Sequence, residues 1–309
     1  MKLGVSVTDF SWPAPTAEIG PRVARIARRV DEAGFDSLWT MDHFFQIPIL
    51  GAPPEDPMLE AYSTLAFMAA QTSRVQLGTL VTSVPYRHPG VLVKIVTSLD
   101  VLTGGRAVFG VGAGAPSTAM ALEHEAGGLG IPFHSLAERF ERLEEQLQIA
   151  HQMWRGDETP YEGRHYRLNR PLNSPNSLRR PHPPILIGGS GERKTLRLVA
   201  RYADACNLFD VPGSRFQDDL ARKLQVLREH CEEAGRDYHE IEKTTATFVE
   251  EGADPGARAR ALVDHLRQLA EIGIDQAIVA GHDEALLDAM AGVLPEVHAI
   301  PTRAAVLDR

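Results

Sequence analysis

The sequence predicts a (β/α)8 barrel, in which eight parallel strands form a closed ring with the helices outside it. Short apolar runs of strand length alternate with amphipathic helical patterns along the chain. The 309 residues suffice for one barrel of about 250 residues with insertions, and a hydrophobic fraction of 43% suffices for one large core. We therefore predict a single domain over residues 1–309, with an insertion and active-site excursion over residues 113–183. A doubly wound open sheet is the alternative.

The predicted strands and helices follow one another in regular order. The strands are Lys2–Val7, Ser37–Met41, Val75–Thr82, Ala107–Gly112, Ile185–Ile187, Ala205–Phe209, Glu242–Glu250 and Asp275–Ala280. The helices are Ala17–Ala33, Leu59–Gln71, Val91–Leu102, a long helix opened by the capping-box pair Ser135 and Glu138, a helix from Glu192, Arg215–Ala234, Arg258–Ile272 and Glu284–Val293. Glycines just after helices, such as Gly34 and Gly235, are typical C-terminal caps.

A glycine-rich turn connects the fifth predicted strand to the helix from Glu192. The turn consists of Gly188, Gly189, Ser190 and Gly191. A strand that passes through such a turn into a helix directs free backbone N–H groups and the positive end of the helix dipole at one point. A phosphate is the expected ligand, and the nearby cations Arg193 and Lys194 support this interpretation. An ordinary turn that uses glycine for close packing is the alternative.

Polar, glycine and aromatic residues collect just after the predicted strands, at the end of a barrel that carries chemistry. They include Asp42 and His43 after strand two, Thr82 and Ser83 after strand three, and Gly112 and Gly114 after strand four. The turns at the opposite end are plain in composition. This asymmetry predicts one large pocket at one face of the barrel.

Three more specific motifs are weak in this sequence. Gly110–Ala115 superficially matches the dinucleotide-binding glycine pattern, but it follows the fourth strand, so we reject a Rossmann fold. We interpret these glycines as letting a flat ligand lie close against the backbone. Asp42 and His43 could form half of a metal site, yet no further ligands are evident, and a histidine at a strand end is often a structural hydrogen bonder. Ser190 lacks the G-x-S-x-G spacing of a nucleophile.

The overall composition argues against several kinds of partner. A net charge of −9 is unfavourable for nucleic-acid binding, and no apolar run approaches the roughly 18 residues of a membrane span. The apolar stretch Met1–Val7 is too short and too soon followed by polar residues to predict a signal peptide. The two cysteines, Cys206 and Cys231, form no CxxC pair. We expect a soluble, cytoplasmic protein without disulfides.

Taken together, these features resemble the luciferase-like monooxygenase superfamily, and within it the deazaflavin (coenzyme F420)-dependent oxidoreductases. The resemblance covers most of residues 1–210, and the joint pattern is specific. It runs through Ser37–Phe44, Leu77–Pro89, Arg106–Gly114, Glu138–Glu145, Tyr161–Tyr166 and Pro184–Asn207.

The resemblance implies a tricyclic cofactor ring over the C-terminal ends of the strands. A non-proline cis peptide at Leu80-Val81 would lie against the ring, and the cofactor phosphate would lie on the glycine-rich turn and Arg193. His43 would face the reactive carbon and exchange a proton with the substrate. The implied cofactor-binding residues are Asp42, His43, Leu80, Val81, Thr82, Ser83, Gly112, Gly114, Gly188, Gly189, Ser190, Gly191 and Arg193.

One departure from the family pattern concerns the substrate. The sugar-phosphate dehydrogenases of this group carry a glutamate after the strand-four glycines, where this sequence has Ala115. A proton donor is therefore missing, and we discount glucose 6-phosphate as the substrate. Glu123, His124 and Glu125 in the following excursion could replace the donor, but excursions are usually solvated and we expect the same here.

These residues lead us to predict an oxidoreductase that transfers hydride between coenzyme F420 and an unidentified small organic substrate. Arg87, Arg193 or Lys194 would meet the acidic tail of the cofactor. An FMN-dependent monooxygenase supplied by a partner reductase is the alternative, and a non-catalytic cofactor-binding protein is a third hypothesis. A metal-dependent hydrolase would need ligands that the sequence does not show. The apolar run Leu65, Phe67, Met68 and Ala69 further predicts a homodimer.

Overall fold

A computed structural model of the chain describes residues 1–48, 52–114, 122–210, 215–249, 254–281 and 283–302. The strands are β1 (Lys2–Val7), β2 (Ser37–Thr40), β3 (Gln76–Thr79), β4 (Thr82–Ser83), β5 (Ala107–Gly112), β6 (Tyr161–Glu162), β7 (Arg167–Leu168), β8 (Ile185–Gly188), β9 (Ala205–Asp210), β10 (Glu242–Thr247) and β11 (Gln276–Ala280). The helices are α1 (Ile19–Ala33), α2 (Ala61–Ala69), α3 (Pro89–Thr103), α4 (Leu122–Gly128), α5 (Leu136–Trp154), α6 (Thr195–Tyr202), α7 (Arg215–Ala234), α8 (Pro255–Ile272) and α9 (Glu284–Ala299).

Eight parallel strands of the described residues close into a barrel. Their order is β3-β2-β1-β11-β10-β9-β8-β5, and β3 also pairs with β5, which closes the ring. The short β4 continues the strand-three segment along β5, and β6 and β7 form a separate antiparallel pair. The predicted (β/α)8 barrel is therefore confirmed, and the open doubly wound sheet is wrong. Because all barrel strands run in one direction, their C-terminal ends share one rim.

The interior of the barrel is filled by side chains rather than forming a pore. Within it, a buried cluster consists of Trp39, Val108, Leu186, Ala205 and Ile278. The Trp39 indole Nε1 donates to Ser37 Oγ at 2.7 Å, and the Gln276 amide also donates to that hydroxyl. The polar groups of Ser37, Trp39 and Gln276 are thus paired with one another, as most buried polar groups are.

A second, larger core separates the strands from the surrounding helices. The outward side chains Leu3, Val5 and Val7 of β1 are completely buried there, since successive strand residues point to opposite faces. α1 contributes its apolar stripe, including Val23 and Val30, to the same cluster. A strand covered on both faces has an almost continuous apolar sequence. The positions of the strands along the chain were predictable for this reason.

Three element boundaries differ from the predictions in ways that matter for the site. Strand three is interrupted, because β3 ends at Thr79 and β4 begins at Thr82, with a cis Leu80-Val81 peptide between them. α6 begins at Thr195 rather than Glu192, so Arg193 and Lys194 precede the helix. The excursion after strand four was predicted to be irregular, but it contains α4. At these three places the apolar pattern of the sequence does not determine where the strand or helix begins and ends.

The surface of α2 is less apolar than the sequence pattern indicated. Leu65 and Met68 are buried in the core, so only Phe67 remains as an exposed large apolar side chain of this run. The homodimer stays a prediction. Among the described residues, none of the helices combines the length and apolar character that crossing a bilayer requires.

The N-terminal rim of the barrel is held by a buried carboxylate near the end of α1. Asp31 Oδ1 accepts from the N–H groups of Arg74 and Val75 at 2.8 and 3.0 Å, and Oδ2 accepts from Ser73 N and Oγ at 2.9 and 3.0 Å. Burial opposes ionisation, but the N–H groups of Val75, Arg74 and Ser73 outweigh it and hold the pKa of Asp31 below its ordinary value. This carboxylate therefore ties α1 to the segment that enters β3.

We expect Asp31→Asn to lower the free energy of unfolding by about 1–3 kcal/mol at pH 7, because an amide presents one acceptor to several N–H donors. Since the folded-state pKa is depressed, the contribution of Asp31 is present above its unfolded pKa of about 3.9 and is lost as the pH falls through the folded value. Urea denaturation of both proteins at pH 7 and pH 3 measures this. If the two proteins differed in free energy of unfolding as much at pH 3 as at pH 7, the stabilising role of the ionised Asp31 would be contradicted.

Candidate active site

Asp42 follows β2 at the C-terminal rim, and its side chain is completely buried. Its carboxylate accepts from Arg87 Nη1 at 2.5 Å and Nη2 at 3.1 Å, and from Thr82 Oγ1 at 2.7 Å. Burial raises the pKa of Asp42, and the Arg87 guanidinium acts against that shift. Asp42 was expected to contact the cofactor, but in the structure its carboxylate contacts protein groups.

Arg87 is similarly engaged within the protein. Its Nη2 also lies 2.5 Å from Glu60 Oε1, and the guanidinium lies 4.7 Å from the centre of the Tyr62 ring. Glu60 in turn caps α2 by accepting from the N–H groups of Tyr62 and Ser63. Arg87 was considered as a partner for an acidic cofactor tail, and the structure gives it two carboxylates of this chain instead.

The two hydroxyl side chains of β4 differ in their partners. Thr82 Oγ1 donates to Asp42 and also lies 2.8 Å from Tyr62 Oη and 3.0 Å from Thr79 Oγ1. Ser83 is buried, but its Oγ has no hydrogen-bond partner among the described residues. A buried hydroxyl without a partner is unfavourable, so Ser83 is the better candidate to bind a polar ligand edge.

The cis peptide places Val81 against the glycines of two neighbouring strands. A Cβ atom on Gly188 would come within 2.9 Å of Val81 Cγ2, and one on Gly112 would come within 3.0 Å of the same atom. The backbone beside Val81 must therefore lack side chains. We interpreted the strand-four glycines as making room for a flat ligand, and the structure shows that Gly112 first makes room for Val81. Gly114 has φ of +80°, a conformation that favours glycine.

The glycine-rich turn leaves backbone donors available. Gly189 has φ of +120°, and its N–H donates to Asn207 O at 3.0 Å. The N–H groups of Ser190 and Gly191 have no acceptor within the described part of the chain. Arg193 is exposed and forms no salt bridge with any described residue, whereas the Lys194 ammonium lies over the Phe140 ring at 5.2 Å. The turn can therefore bind an anion through two N–H groups and one cation.

His43 lies at the rim beside Asp42 and is bound by a residue of α4. His43 Nδ1 is 2.8 Å from Glu125 Oε2, and the His43 residue is 9% exposed. Glu125 is buried at 3% exposure, so the expectation of a solvated excursion is wrong at this residue. His124, its neighbour, is exposed and contacts the Phe45 ring edge-on. Ala115 and the side chain of Glu123 lie outside what the structure describes.

Glu125 receives two further donors. Tyr86 Oη donates to Oε2 at 2.9 Å, and the backbone N–H of Phe44 donates to Oε1. Burial opposes the ionisation of Glu125, but the hydrogen bond and charge of His43, with the donors Phe44 and Tyr86, hold its pKa below the ordinary value. Burial and the Glu125 charge raise the pKa of Tyr86, so this phenol stays protonated. Tyr86 had not been identified from the sequence, although it lies in the family-like stretch Leu77–Pro89.

Asp42 and His43 do not converge on a common point that would suit a metal ion. Asp42 binds Arg87 and Thr82, whereas His43 binds Glu125. Over the described ranges, no group of three or more His, Cys, Asp or Glu residues is arranged to hold a metal. His282 and Glu250–Glu251, which follow two other strands, lie outside the described residues.

The sequence matches the family model of the luciferase-like monooxygenases over residues 1–286. The chain therefore belongs to this family of barrel proteins.

Individual relatives are consistent with this membership. The F420-dependent glucose-6-phosphate dehydrogenase of Nakamurella multipartita is 33% identical over 262 residues, which is 82% of this chain and 70% of that protein. An F420-dependent secondary alcohol dehydrogenase, solved with an F420-acetone adduct, has a TM-score of 0.78 at 17% identity, covering 96% of this chain and 98% of that chain. The oxygenating constituent of 3,6-diketocamphane monooxygenase from Pseudomonas putida, solved with FMN, has a TM-score of 0.70 at 16% identity, covering 98% and 100%. The two solved structures share the fold.

We expect Arg87→Met to lower the free energy of unfolding by about 3–5 kcal/mol, because it leaves the Asp42 carboxylate buried without a counter-charge. Asp42→Asn should be less destabilising, since Arg87 keeps Glu60 and the amide oxygen still accepts a hydrogen bond. Urea denaturation at pH 7 measures both variants, and the double variant should be more stable than Arg87→Met alone. Equal losses of free energy of unfolding in the two single variants would contradict the expected difference between them.

Proposed function

We propose that this protein is an oxidoreductase that transfers hydride between deazaflavin coenzyme F420 and a small organic substrate. One observation carries the proposal: two features lie at the same rim of the barrel. The glycine-rich turn has backbone N–H groups available to an anion, and the buried His43 is held by the Glu125 carboxylate. The 33% identity to an F420-dependent dehydrogenase over most of the chain supports the choice of cofactor.

The residues at the rim fit such a cofactor in two places. Ser190 N–H, Gly191 N–H and the Arg193 guanidinium would hold the phosphate, since these groups lack protein acceptors or salt bridges in the described residues. The unpartnered Ser83 Oγ would hold the polar edge of the ring. The cis Leu80-Val81 segment, packed on Gly112 and Gly188, would support one face of the ring.

The bound deazaflavin supplies two-electron hydride transfer, which leaves one proton for the protein to manage. His43 is suited to this task, because an imidazole can take or give a proton near neutral pH. When a substrate alcohol is oxidised, its hydroxyl proton would move to His43 as hydride leaves the carbon. When a carbonyl is reduced, the proton would move in the opposite direction.

We propose that the substrate is not glucose 6-phosphate, although two similar proteins are named F420-dependent glucose-6-phosphate dehydrogenases. Ala115 cannot donate a proton, whereas the sugar-phosphate dehydrogenases carry a glutamate in that place. Phe44 and Tyr86, with ring centres 5.1 Å apart beside His43, favour a neutral and partly apolar molecule next to the histidine.

An FMN-dependent monooxygenase is the second candidate, favoured by the fold shared with the FMN-bound oxygenase from Pseudomonas putida. FMN and the deazaflavin share a tricycle and a first phosphate, so the glycine turn suits both. Titration of the purified protein with each cofactor, followed by fluorescence, distinguishes the two candidates. Binding of FMN but not of coenzyme F420 would reject the main proposal.

We expect Gly189→Asp to weaken binding of coenzyme F420 by roughly tenfold or more beyond Gly189→Ala, because only the aspartate places a negative charge beside the phosphate. Both substitutions carry the same backbone conflict, since φ at Gly189 is +120°. Their melting temperatures should therefore fall together, which makes Gly189→Ala the matched control. Equal affinities in the two folded variants would remove the phosphate from this turn.

We expect His43→Ala to lower the single-turnover rate of hydride transfer by about 10²–10⁴-fold, the usual contribution of a positioned acid or base. Affinity for the cofactor should change far less, because the glycine turn supplies binding. His239→Ala, an exposed histidine before β10 at the opposite end of the barrel, is the control and should alter neither quantity. A general hydride acceptor can stand in for the substrate. A His43→Ala protein that melts earlier but keeps the wild-type rate would reject the role of His43.

A further inference from the structure

Glu125 is a buried carboxylate whose function the family resemblance does not assign. It lies on α4, 82 residues after His43, and its carboxylate accepts from Tyr86 Oη and Phe44 N–H and lies 2.8 Å from His43 Nδ1. Burying a carboxylate is unfavourable unless it is fully paired, so an arrangement of this kind is specific. Tyr86 Oη and Phe44 N–H alone would supply one donor to each oxygen of a carboxylate that only fastened the excursion to the barrel.

We infer that Glu125 is a positioning residue that holds His43 in the tautomer with a proton on Nδ1, leaving the Nε2 lone pair to react. This inference rests on the proposed function of the site. The carboxylate oxygen accepts a hydrogen bond, so the nitrogen that faces it at 2.8 Å must donate one. Within the described residues, His43 Nε2 has no hydrogen-bond partner.

The charges around the pair favour this arrangement. Glu125 is ionised, since its pKa is held below the ordinary value, and Tyr86 is a neutral donor. The other charged groups near Tyr86 are Asp42, Arg87 and Arg139, and Arg87 already neutralises Asp42. Glu125 is thus the carboxylate that faces the imidazole directly.

The proton transfer at His43 would balance in both directions. When a substrate alcohol is oxidised, its hydroxyl proton would pass to His43 Nε2 as the carbonyl forms, and a bound deazaflavin would supply the hydride acceptor. The imidazole would become an imidazolium, and the Glu125 carboxylate at Nδ1 would stabilise its positive charge. When a carbonyl is reduced, the imidazolium would return the proton to the substrate oxygen.

Glu125→Gln tests the inference, because an amide of the same shape has one acceptor oxygen. That oxygen should face Phe44 N–H, which can only donate, so the NH₂ group should face His43 Nδ1. His43 Nδ1 must then accept, and the proton should move to Nε2. We expect ¹⁵N NMR of the cofactor-free protein to show protonated Nδ1 in the wild type and protonated Nε2 in Glu125→Gln. The His43 signals are those that His43→Ala lacks among the 12 histidines.

A second measurement connects the tautomer to the chemistry. The single-turnover rate of Glu125→Gln should fall by about 10²–10⁴-fold, while the dissociation constant of coenzyme F420 changes by less than about threefold. Asp31→Asn is the matched control, since it also removes a buried carboxylate but lies at the other end of the barrel. It should lower stability and leave both the tautomer and the rate unchanged.

The outcomes separate this inference from the proposed function. A wild-type His43 that carries its proton on Nε2, or a Glu125→Gln variant that keeps both the wild-type tautomer and rate, would overturn the inference. A tautomer that shifts as expected in a protein that does not bind the deazaflavin would support the positioning role and reject the proposed function. If Glu125→Gln fails to fold, Glu125→Asp keeps the charge at a shorter reach. It should then retain the Nδ1 proton, and an Nε2 proton there would overturn the inference.

Discussion

Closure of the barrel through β3 is the constraint on which the site depends. β3 pairs with β2 on one side and, through Leu77 and Gly78, with Ala107 and Val108 of β5 on the other. Because the ring is closed and all its strands are parallel, residues far apart in sequence meet at one rim. His43 follows β2, Ser83 ends β4, and the glycine-rich turn follows β8. The cis peptide interrupts strand three at that rim and directs Val81 toward two glycines of neighbouring strands.

Three buried carboxylates show how the same chemical group serves different purposes in this protein. Asp31 is satisfied by backbone N–H groups, whose donor character is fixed, and it connects α1 to the entry of β3. Asp42 is satisfied by the guanidinium of Arg87, whose charge is permanent. Glu125 alone among the three has an imidazole as a partner. Because an imidazole gains and loses a proton near neutral pH, Glu125 is, of these three, the carboxylate that the proposed function couples to a proton transfer.

Strand and helix order was predictable because every barrel strand lies between the interior and a layer of helices. Such strands read as apolar runs, and glycines with positive φ, such as Gly34 and Gly273, mark the ends of helices. Local pattern also located the glycine turn, and the family resemblance located the cis peptide. The start of α6 was less predictable, since the turn before it is decided by the conformations of single glycines.

Residue type predicted that polar groups lie at the rim, but it could not tell which partner each would bind. Thr82 and Arg87 were expected to reach a ligand, and in the structure both bind Asp42. Glu125 was expected to be solvated, because excursions usually are, and the sequence does not reveal a partner that lies 82 residues away. Burial of that kind is a tertiary property, and only the packing of α4 on the rim creates it.

The same contacts bear on how the proposed chemistry would proceed with Ala115 in place of the glutamate of the sugar-phosphate dehydrogenases. Glu125 is a buried acid in the excursion that follows, so a direct substitution for that glutamate is one hypothesis. An acid catalyst must carry a proton to give, however, and the three donors around Glu125 stabilise the ionised form. Within the proposed function, Glu125 is therefore not the replacement acid, and His43 itself would carry the proton. In the inference drawn above, the carboxylate acts through the imidazole: it would determine which nitrogen is free and would stabilise the charge after that nitrogen has taken a proton.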